Sequence, residues 1–172
     1  MKKIISLLCV SAFFSASLYS QKTFRDTLDI KYTFSCPDNY DIFRQPDGSV
    51  QVVSPLSGAD DKYREGIAFN VSKAFYGMSL DSLASFMKVR MTQSYKSNIG
   101  PLDVRVEPIR IGGIEGRRVS MTAIINGATM STSESFVMRK GGMLRISYMN
   151  EYQSKSNEMP SFQKVLESVK ID

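Results

Sequence analysis

The sequence predicts an α+β domain built on a mostly antiparallel sheet, and three observations carry that prediction. Apolar residues recur at helical spacing in two separate stretches, 79–97 and 160–170. Between them, three glycine-bearing pairs (Gly112-Gly113, Asn126-Gly127 and Gly141-Gly142) cut strand-like sequence into segments of similar length. Upstream of the first helix, short alternating runs are separated by Pro, Asp and Gly.

Taken in order, the chain begins with a positive start, Lys2 and Lys3, followed by an apolar run from Ile4 to Phe14 and then small and polar residues. This is the three-part layout of a secretory signal, and the run is too short to cross a bilayer comfortably. Cleavage is placed after Ser20, giving a signal over 1–20 and one domain over 21–172. Cys9 follows Leu7 and Leu8 rather than a small residue, which argues against lipidation there. Removing Lys2 and Lys3 lowers the net charge from +5 to +3, too mild a balance for a nucleic-acid surface.

Cys36 is the one cysteine left after processing, so no disulfide closes within a mature chain. Its expected role is a small buried residue at a strand end, with intermolecular pairing the alternative use of a free thiol. Histidine and tryptophan are both absent. Without imidazole there is no Ser-His or Cys-His pair, no His-ligated zinc and no switch near neutral pH.

After a polar lead-in, "KYTFSCPDNYDIF" reads as a strand, with Tyr32, Phe34 and Cys36 alternating against Lys31, Thr33 and Ser35. Pro46-Asp47-Gly48 supplies turn chemistry between two short strands. The polar, charged segment from Ser54 to Gly66 reads as a long exposed loop, and Ile67, Phe69 and Val71 then share one strand face. In the first helix Leu80, Leu83, Ala84, Met87 and Met91 form the stripe, Ser79 caps the first turn and Asp81 suits the positive end of the dipole. In the second, Phe162, Val165, Leu166 and Val169 form the stripe and Pro160 sits where its missing N–H costs nothing.

The middle of the chain predicts a four-strand meander over 104–150, with strands Val104 to Ile111, Ile114 to Ile125, Ala128 to Arg139 and Met143 to Asn150. A two-residue turn at Asn126-Gly127 pairs Ile125 with Ala128, Ala123 with Met130 and Met121 with Thr132. That puts Val119, Met121, Ala123, Ile125, Met130, Phe136 and Met138 on one face. Bringing Leu144, Ile146 and Tyr148 to the same face requires an odd loop, so a three-residue Lys140-Gly141-Gly142 turn with a bulge is predicted. Ile124 and Val137 point the other way, which suggests helices on both sides of the sheet. Two helices and about six to seven strands complete the α+β domain.

Candidate chemistry is thin. "GGIEGRRV" has neither the dinucleotide-loop spacing nor a following Lys-Ser/Thr, so it reads as a turn. Ser85/Lys88 and Ser161/Lys164 match S-x-x-K spacing without its companion motifs. Asp60, Asp61 and Glu65, with Asp38 and Asp41, fit no calcium loop and are offset by Lys62 and Arg64. The methionines fall mostly on predicted apolar faces, which favours core packing over copper or ligand binding. No metal site and no cofactor are expected. What remains is a basic meander, Arg105, Arg110, Arg117, Arg118, Arg139, Lys140 and Arg145, which nets +4 over 104–145 against Glu107, Glu115 and Glu134. Such a surface suits an acidic partner or anionic headgroups, or is a solvated sheet face.

A family pattern runs through the same segments. "YTFSCPDNYDI" resembles the opening strand and turn of PsbP-like proteins, with Tyr40 where that pattern often has tryptophan. "GMSLDSLASFM" is similar to their helix start, "RIGGIEGRRVSM" to their hairpin, "FVMRKGGMLRISYM" to the paired strands that follow, and "FQKVLESVKI" to the closing helix. The resemblance implies an α-β-α sandwich, as in photosystem II extrinsic subunits, Ran-binding relatives and bacterial envelope proteins of the DcrB type. It implies accessory or interaction modules and no enzyme. Metal binding in the photosynthetic members draws partly on histidine, so no ligand carries over to this chain.

The resulting expectation is an exported, non-enzymatic accessory protein of a bacterial envelope, periplasmic or secreted from a Gram-negative cell. Its partner would be another envelope protein, with peripheral membrane contact compatible. The candidate contact residues are Asp60, Asp61, Arg64, Arg105, Arg117, Arg118, Arg139, Lys140 and Arg145. The alternative is a periplasmic carrier of a small apolar ligand held between helix and sheet.

Overall fold

The structure is a computed structural model, and it describes residues 20–56, 64–94, 103–125, 128–151 and 159–172. The proposed signal therefore lies almost wholly outside the described residues, as do Asp60, Asp61 and the Asn126-Gly127 turn. No helix among the described residues is long and apolar enough to cross a membrane.

Among the described residues, ten strands and two helices follow in the order β1 (Gln21–Asp26), β2 (Tyr32–Pro37), β3 (Asp41–Arg44), β4 (Val50–Val53), β5 (Gly66–Ser72), α1 (Leu80–Ser94), β6 (Asp103–Ile111), β7 (Ile114–Ile125), β8 (Ala128–Arg139), β9 (Gly142–Glu151), α2 (Met159–Ser168) and β10 (Lys170–Ile171). Seven strands make one antiparallel sheet in the order β3-β4-β5-β9-β8-β7-β6. A second, three-stranded sheet has the order β1-β2-β10. The predicted α+β class and the four-strand meander are both present.

The predicted pairing across residues 126–127 holds: Ile125 opposes Ala128, Ala123 opposes Met130 and Met121 opposes Thr132. At Gly112-Gly113, Ile111 opposes Ile114 and both glycines take positive φ, 57° and 80°, as a primed two-residue turn requires. The β8–β9 turn differs from the sequence expectation. Arg139 opposes Gly142 and Met138 opposes Met143, so the loop is the two residues Lys140-Gly141. Leu144, Ile146 and Tyr148 consequently lie on the face opposite Phe136 and Met138. A three-residue turn is needed only if one face of the sheet holds the whole core. Both faces hold one.

One core lies between α1 and β6–β8, where Leu83, Ala84, Met87 and Met91 meet Val119, Met121, Ala123, Phe136 and Met143. The other lies between the large sheet and the small sheet with α2, where Tyr32, Phe34, Val50, Val52, Phe69, Leu144, Ile146 and Phe162 pack together. The helix start is set locally, since the Ser82 N–H donates to Ser79 Oγ at 3.1 Å and Leu83 N–H to the Ser79 carbonyl at 2.9 Å. The chain after α2 leaves helical form and adds β10 to β2, Lys170 opposite Thr33 and Ile171 opposite Tyr32. The polar lead-in is the edge strand β1, in which the alternation is muted because one face is exposed. Among the described residues, both cores are built from Phe24 and residues that follow it.

Cys36 faces the second core with 1 % of its surface exposed, and burial pushes its thiol pKa up. Intermolecular pairing would require that core to open. The chain from Gln21 onward, which carries Cys36 alone, is expected to resist thiol reagents and to react with one equivalent in denaturant; rapid labelling without denaturant would place Cys36 in a looser environment.

Candidate functional site

Of the nine contact residues expected from the sequence, Asp60 and Asp61 lie outside the described residues, and the other seven do not form one surface. Consecutive strand residues point to opposite faces, so Arg117 and Arg118 are separated by the sheet. Arg117 lies on the α1 side, only 18 % exposed, with its Nε 2.9 Å from Asp81 and an Nη 2.9 Å from Glu115. Arg118 lies on the other side, with its Nε donating to Ser135 Oγ at 3.1 Å and an Nη 3.3 Å from Glu107. Arg105 pairs with Asp103, its neighbour two residues back on the edge strand. Arg145 pairs with Glu134 at 3.5 Å on the α1 side, and Arg64 pairs with Asp41 while donating to the Ser54 carbonyl at 2.7 Å. Arg139 and Lys140 are exposed at the β8–β9 turn. Most of the basic meander is thus engaged in ion pairs with nearby acids.

The geometry reveals a different feature. Among the described residues, each face of the large sheet is covered over only part of its width, and the covered parts are diagonal to one another. α1 covers β6, β7 and β8 on one side. The small sheet and α2 cover β3, β4, β5 and β9 on the other. On the α2 side, the uncovered parts of β7 and β8 present Ser120, Thr122, Ser131, Ser133 and, beside them, Arg118, with one exposed apolar residue, Ile124, on the same face. This half is mostly hydrophilic, as an open sheet face should be. On the α1 side, the uncovered half is mixed. Phe43 and Met149 are exposed, and Val53 is half-exposed on the same face. Small residues Gly66, Ala68 and Ser147 floor a trough of about 360 Å³, flanked by Gln51, Arg64 and Glu134.

Sequence reasoning misses this half. A signal is available in β5, where Gly66, Ala68, Asn70 and Ser72 alternate with Ile67, Phe69 and Val71. Small side chains on the non-core face leave a groove that larger ones would fill.

Glu134 marks the border between α1 and the trough. Its carboxyl pKa is raised, chiefly by desolvation, against the opposing effects of Arg145, Arg90 and a hydrogen bond from Ser147. An acid whose folded pKa exceeds its unfolded value stabilises the fold fully below the unfolded pKa and loses that contribution as pH rises through the folded one. The stability of the wild type relative to Glu134→Gln is therefore expected to fall as pH rises from about 4.5, the ordinary carboxyl value. Denaturant melts of both proteins across that range test this; a difference that grows with pH would contradict it.

A smaller pocket of about 150 Å³ lies between α2 and the hydrophilic half, lined by Phe162 and Leu166 on one side and by Ser133, Ser135 and Arg118 on the other. It is ring-sized, with serine hydroxyls along one wall and Ile67, Ile146, Phe162 and Leu166 giving it a mainly apolar lining. The methionines do not line it: Met87, Met121 and Met143 are almost fully buried against α1 and the sheet. Among the described residues, no three His, Cys, Asp or Glu side chains converge to hold a metal.

No family model matches the sequence, and no curated protein matches it. Solved structures match the fold. The cyanobacterial PsbP (CyanoP) of Synechocystis superposes with a TM-score of 0.64 at 15% identity, covering 95% of this chain and 99% of that one. LpqN of Mycobacterium tuberculosis, described as involved in cell envelope biogenesis, gives 0.64 at 12% identity, covering 88% and 91%. The Ran-binding protein Mog1p of Saccharomyces cerevisiae gives 0.55 at 11% identity, covering 88% and 96%. The arrangement of two helices about a mostly antiparallel seven-stranded sheet, with a small sheet beside it, is the PsbP-like fold.

Proposed function

We propose that this protein is an exported accessory protein of the bacterial cell envelope that acts through protein–protein contact rather than catalysis. The contact surface is the uncovered half of the large sheet on the α1 side. The observation that carries the reading is the contrast between the two open half-faces. Where the sheet meets water on the α2 side, the chain supplies mainly serine and threonine, with Ile124 the one exposed large apolar side chain there among the described residues. Where it is equally uncovered on the α1 side, the chain supplies Phe43, Val53 and Met149 around a small-residue trough. Apolar side chains around a concave, uncovered surface are the composition of a protein contact site. Export is supported by the N-terminal signal pattern, and the envelope setting is compatible with the role named for LpqN.

Arg64 and Arg145, two of the contact residues expected from the sequence, border this half-face and would form its polar rim. A photo-crosslinking side chain placed at Met149 or Phe43 in living cells is expected to capture one reproducible protein. The same group at Ser120 or Ser133 should capture none. Equal capture from both faces, or none from Met149 and Phe43, would overturn the reading.

A ligand carrier has two counterparts among the described residues, the pocket beside α2 and one of about 180 Å³ between α1 and β8 that Met87 and Met91 help to line. Both are smaller than the several hundred Å³ usual for a ligand site. Native mass spectrometry is expected to show no persistent lipid adduct, because pockets of about 150 and 180 Å³ are too small to enclose an acyl chain.

A further inference from the structure

We infer that the end of the molecule formed by the 27–31 loop, the 73–78 turn and the Lys140-Gly141 turn is a docking surface for an anionic membrane. Three observations bring these segments together. Ser72 opposes Met143, so the chain leaving β5 emerges beside the β8–β9 turn. Lys73 pairs with Asp29 at 2.6 Å, which ties the 27–31 loop to the 73–78 turn. Lys31, Arg139 and Lys140 line a single open cleft of about 450 Å³.

The charges at this end are unbalanced in one direction. Asp29 and Asp172, which line the same cleft, are held by Lys73 and by Arg25 at 3.3 Å, and Arg117 offsets one of the two charges of Asp81 and Glu115. Lys31, Arg139 and Lys140 have no ion-pair partner among the described residues. Three cations are therefore available to a ligand at the rim of one cleft.

The apolar side chains at this end decide which anion fits. Tyr76 is 66 % exposed and Leu28 58 %, the two highest values among the exposed large hydrophobics. Both sit on turns rather than on a flat face. The Tyr76 N–H donates to the Lys73 carbonyl and the Leu28 N–H to Asp26 Oδ1. Free phosphate would have no use for them. A bilayer surface would, because tyrosine favours the interface, leucine enters the acyl boundary, and basic residues meet anionic headgroups above it. This surface is distinct from the sheet half-face of the proposed function, so the two can fail separately.

The test is flotation of the chain from Ser20 onward with phosphatidylcholine vesicles, with and without phosphatidylglycerol. Binding is expected only with phosphatidylglycerol and should weaken with added salt. The variant carrying Lys31→Glu, Arg139→Glu and Lys140→Glu should partition on the order of a hundredfold less, since each cation near an anionic surface contributes about fivefold. Leu28→Asp with Tyr76→Asp should also reduce binding, whereas Lys88→Glu with Lys164→Glu, away from this end, should not. All these side chains are exposed, and unchanged thermal melting would confirm intact folds. Absence of binding, or equal loss in the Lys88/Lys164 control, would overturn the inference. Binding that survives the Leu28/Tyr76 change would overturn it too, by reducing the surface to a general anion site.

Discussion

Phe69→Ala is expected to cost about 3–5 kcal/mol of folding stability. Phe69 has no exposed surface, and its ring stacks on Phe34 at a centroid distance of 4.5 Å with only 5° between planes. Tyr32 stacks on the same ring at 5.4 Å. Because Phe34 and Tyr32 belong to the small sheet and Phe69 to the large one, this stack joins the two sheets. Val50 and Ile146 flank Phe69 on neighbouring strands, so the surroundings have little freedom to collapse into the space left behind. Against a total stability of roughly 5–15 kcal/mol, the loss is a large fraction. Urea unfolding should show a lower midpoint with an unchanged slope, and melting should fall by roughly 10–15 °C for a domain of this size. Phe86→Ala, at a position 45 % exposed on α1, should cost far less. A Phe69→Ala loss no larger than that of Phe86→Ala would mean that the two sheets are held together elsewhere.

Much of this architecture is legible in the sequence because period and turn chemistry are local properties. The helical stripe Leu83, Ala84, Met87 and Met91 is the buried stripe of α1, and Ser79 is its cap. Gly112-Gly113 is a turn because two adjacent residues at positive φ need glycine there. What is not legible depends on which surfaces meet. The β8–β9 register escapes sequence reasoning because Leu144 and Phe136 are both apolar, and a single core would have to hold both. Only the positions of α1 and the small sheet show that they face different cores. β1 is hidden for a related reason. An edge strand on a small sheet buries little, so its pattern carries almost no signal.

The candidate contact residues show the same limit. Charge along the chain locates the arginines and indicates nothing about their partners. Arg117 and Arg118 are adjacent in sequence, yet the sheet sends one to Asp81 and the other to Glu107. The residues that define the open half-face come from β3, β4, β5, β8 and β9, which no sequence window brings together. Uncovered apolar surface is a property of the whole fold, since it depends on where α1 stops.

The second large effect is expected at Gly116, in the segment "IRIGGIEGRRVSM", whose three glycines have different work to do. Gly113, at φ 80°, has open space where a methyl group would project, so Gly113→Ala should cost only the backbone strain of a left-handed residue, about 1–2 kcal/mol. Gly112 adds contact to that strain, because a Cβ there would lie 3.0 Å from the Ile171 nitrogen. Gly116 is the third residue of β7, opposite Val137, and is not at positive φ. A Cβ on Gly116 would sit 2.4 Å from the Phe136 carbonyl oxygen and 2.8 Å from Val137 Cγ1. The first clash is with backbone, so a rotamer change cannot relieve it, and β7 and β8 would have to separate. Their ladder forms the centre of the meander, and Phe136 and Val137 serve opposite cores, so a shift there disturbs both. Gly116→Ala should therefore cost about 3 kcal/mol, the upper end of the usual overpacking range, and Gly116→Val more. The expected order of destabilisation is Gly116→Ala, then Gly112→Ala, then Gly113→Ala, read as midpoints of urea unfolding. If Gly113→Ala proved the most damaging, the turn conformation rather than the close approach of β7 to β8 would be what this segment requires of its glycines.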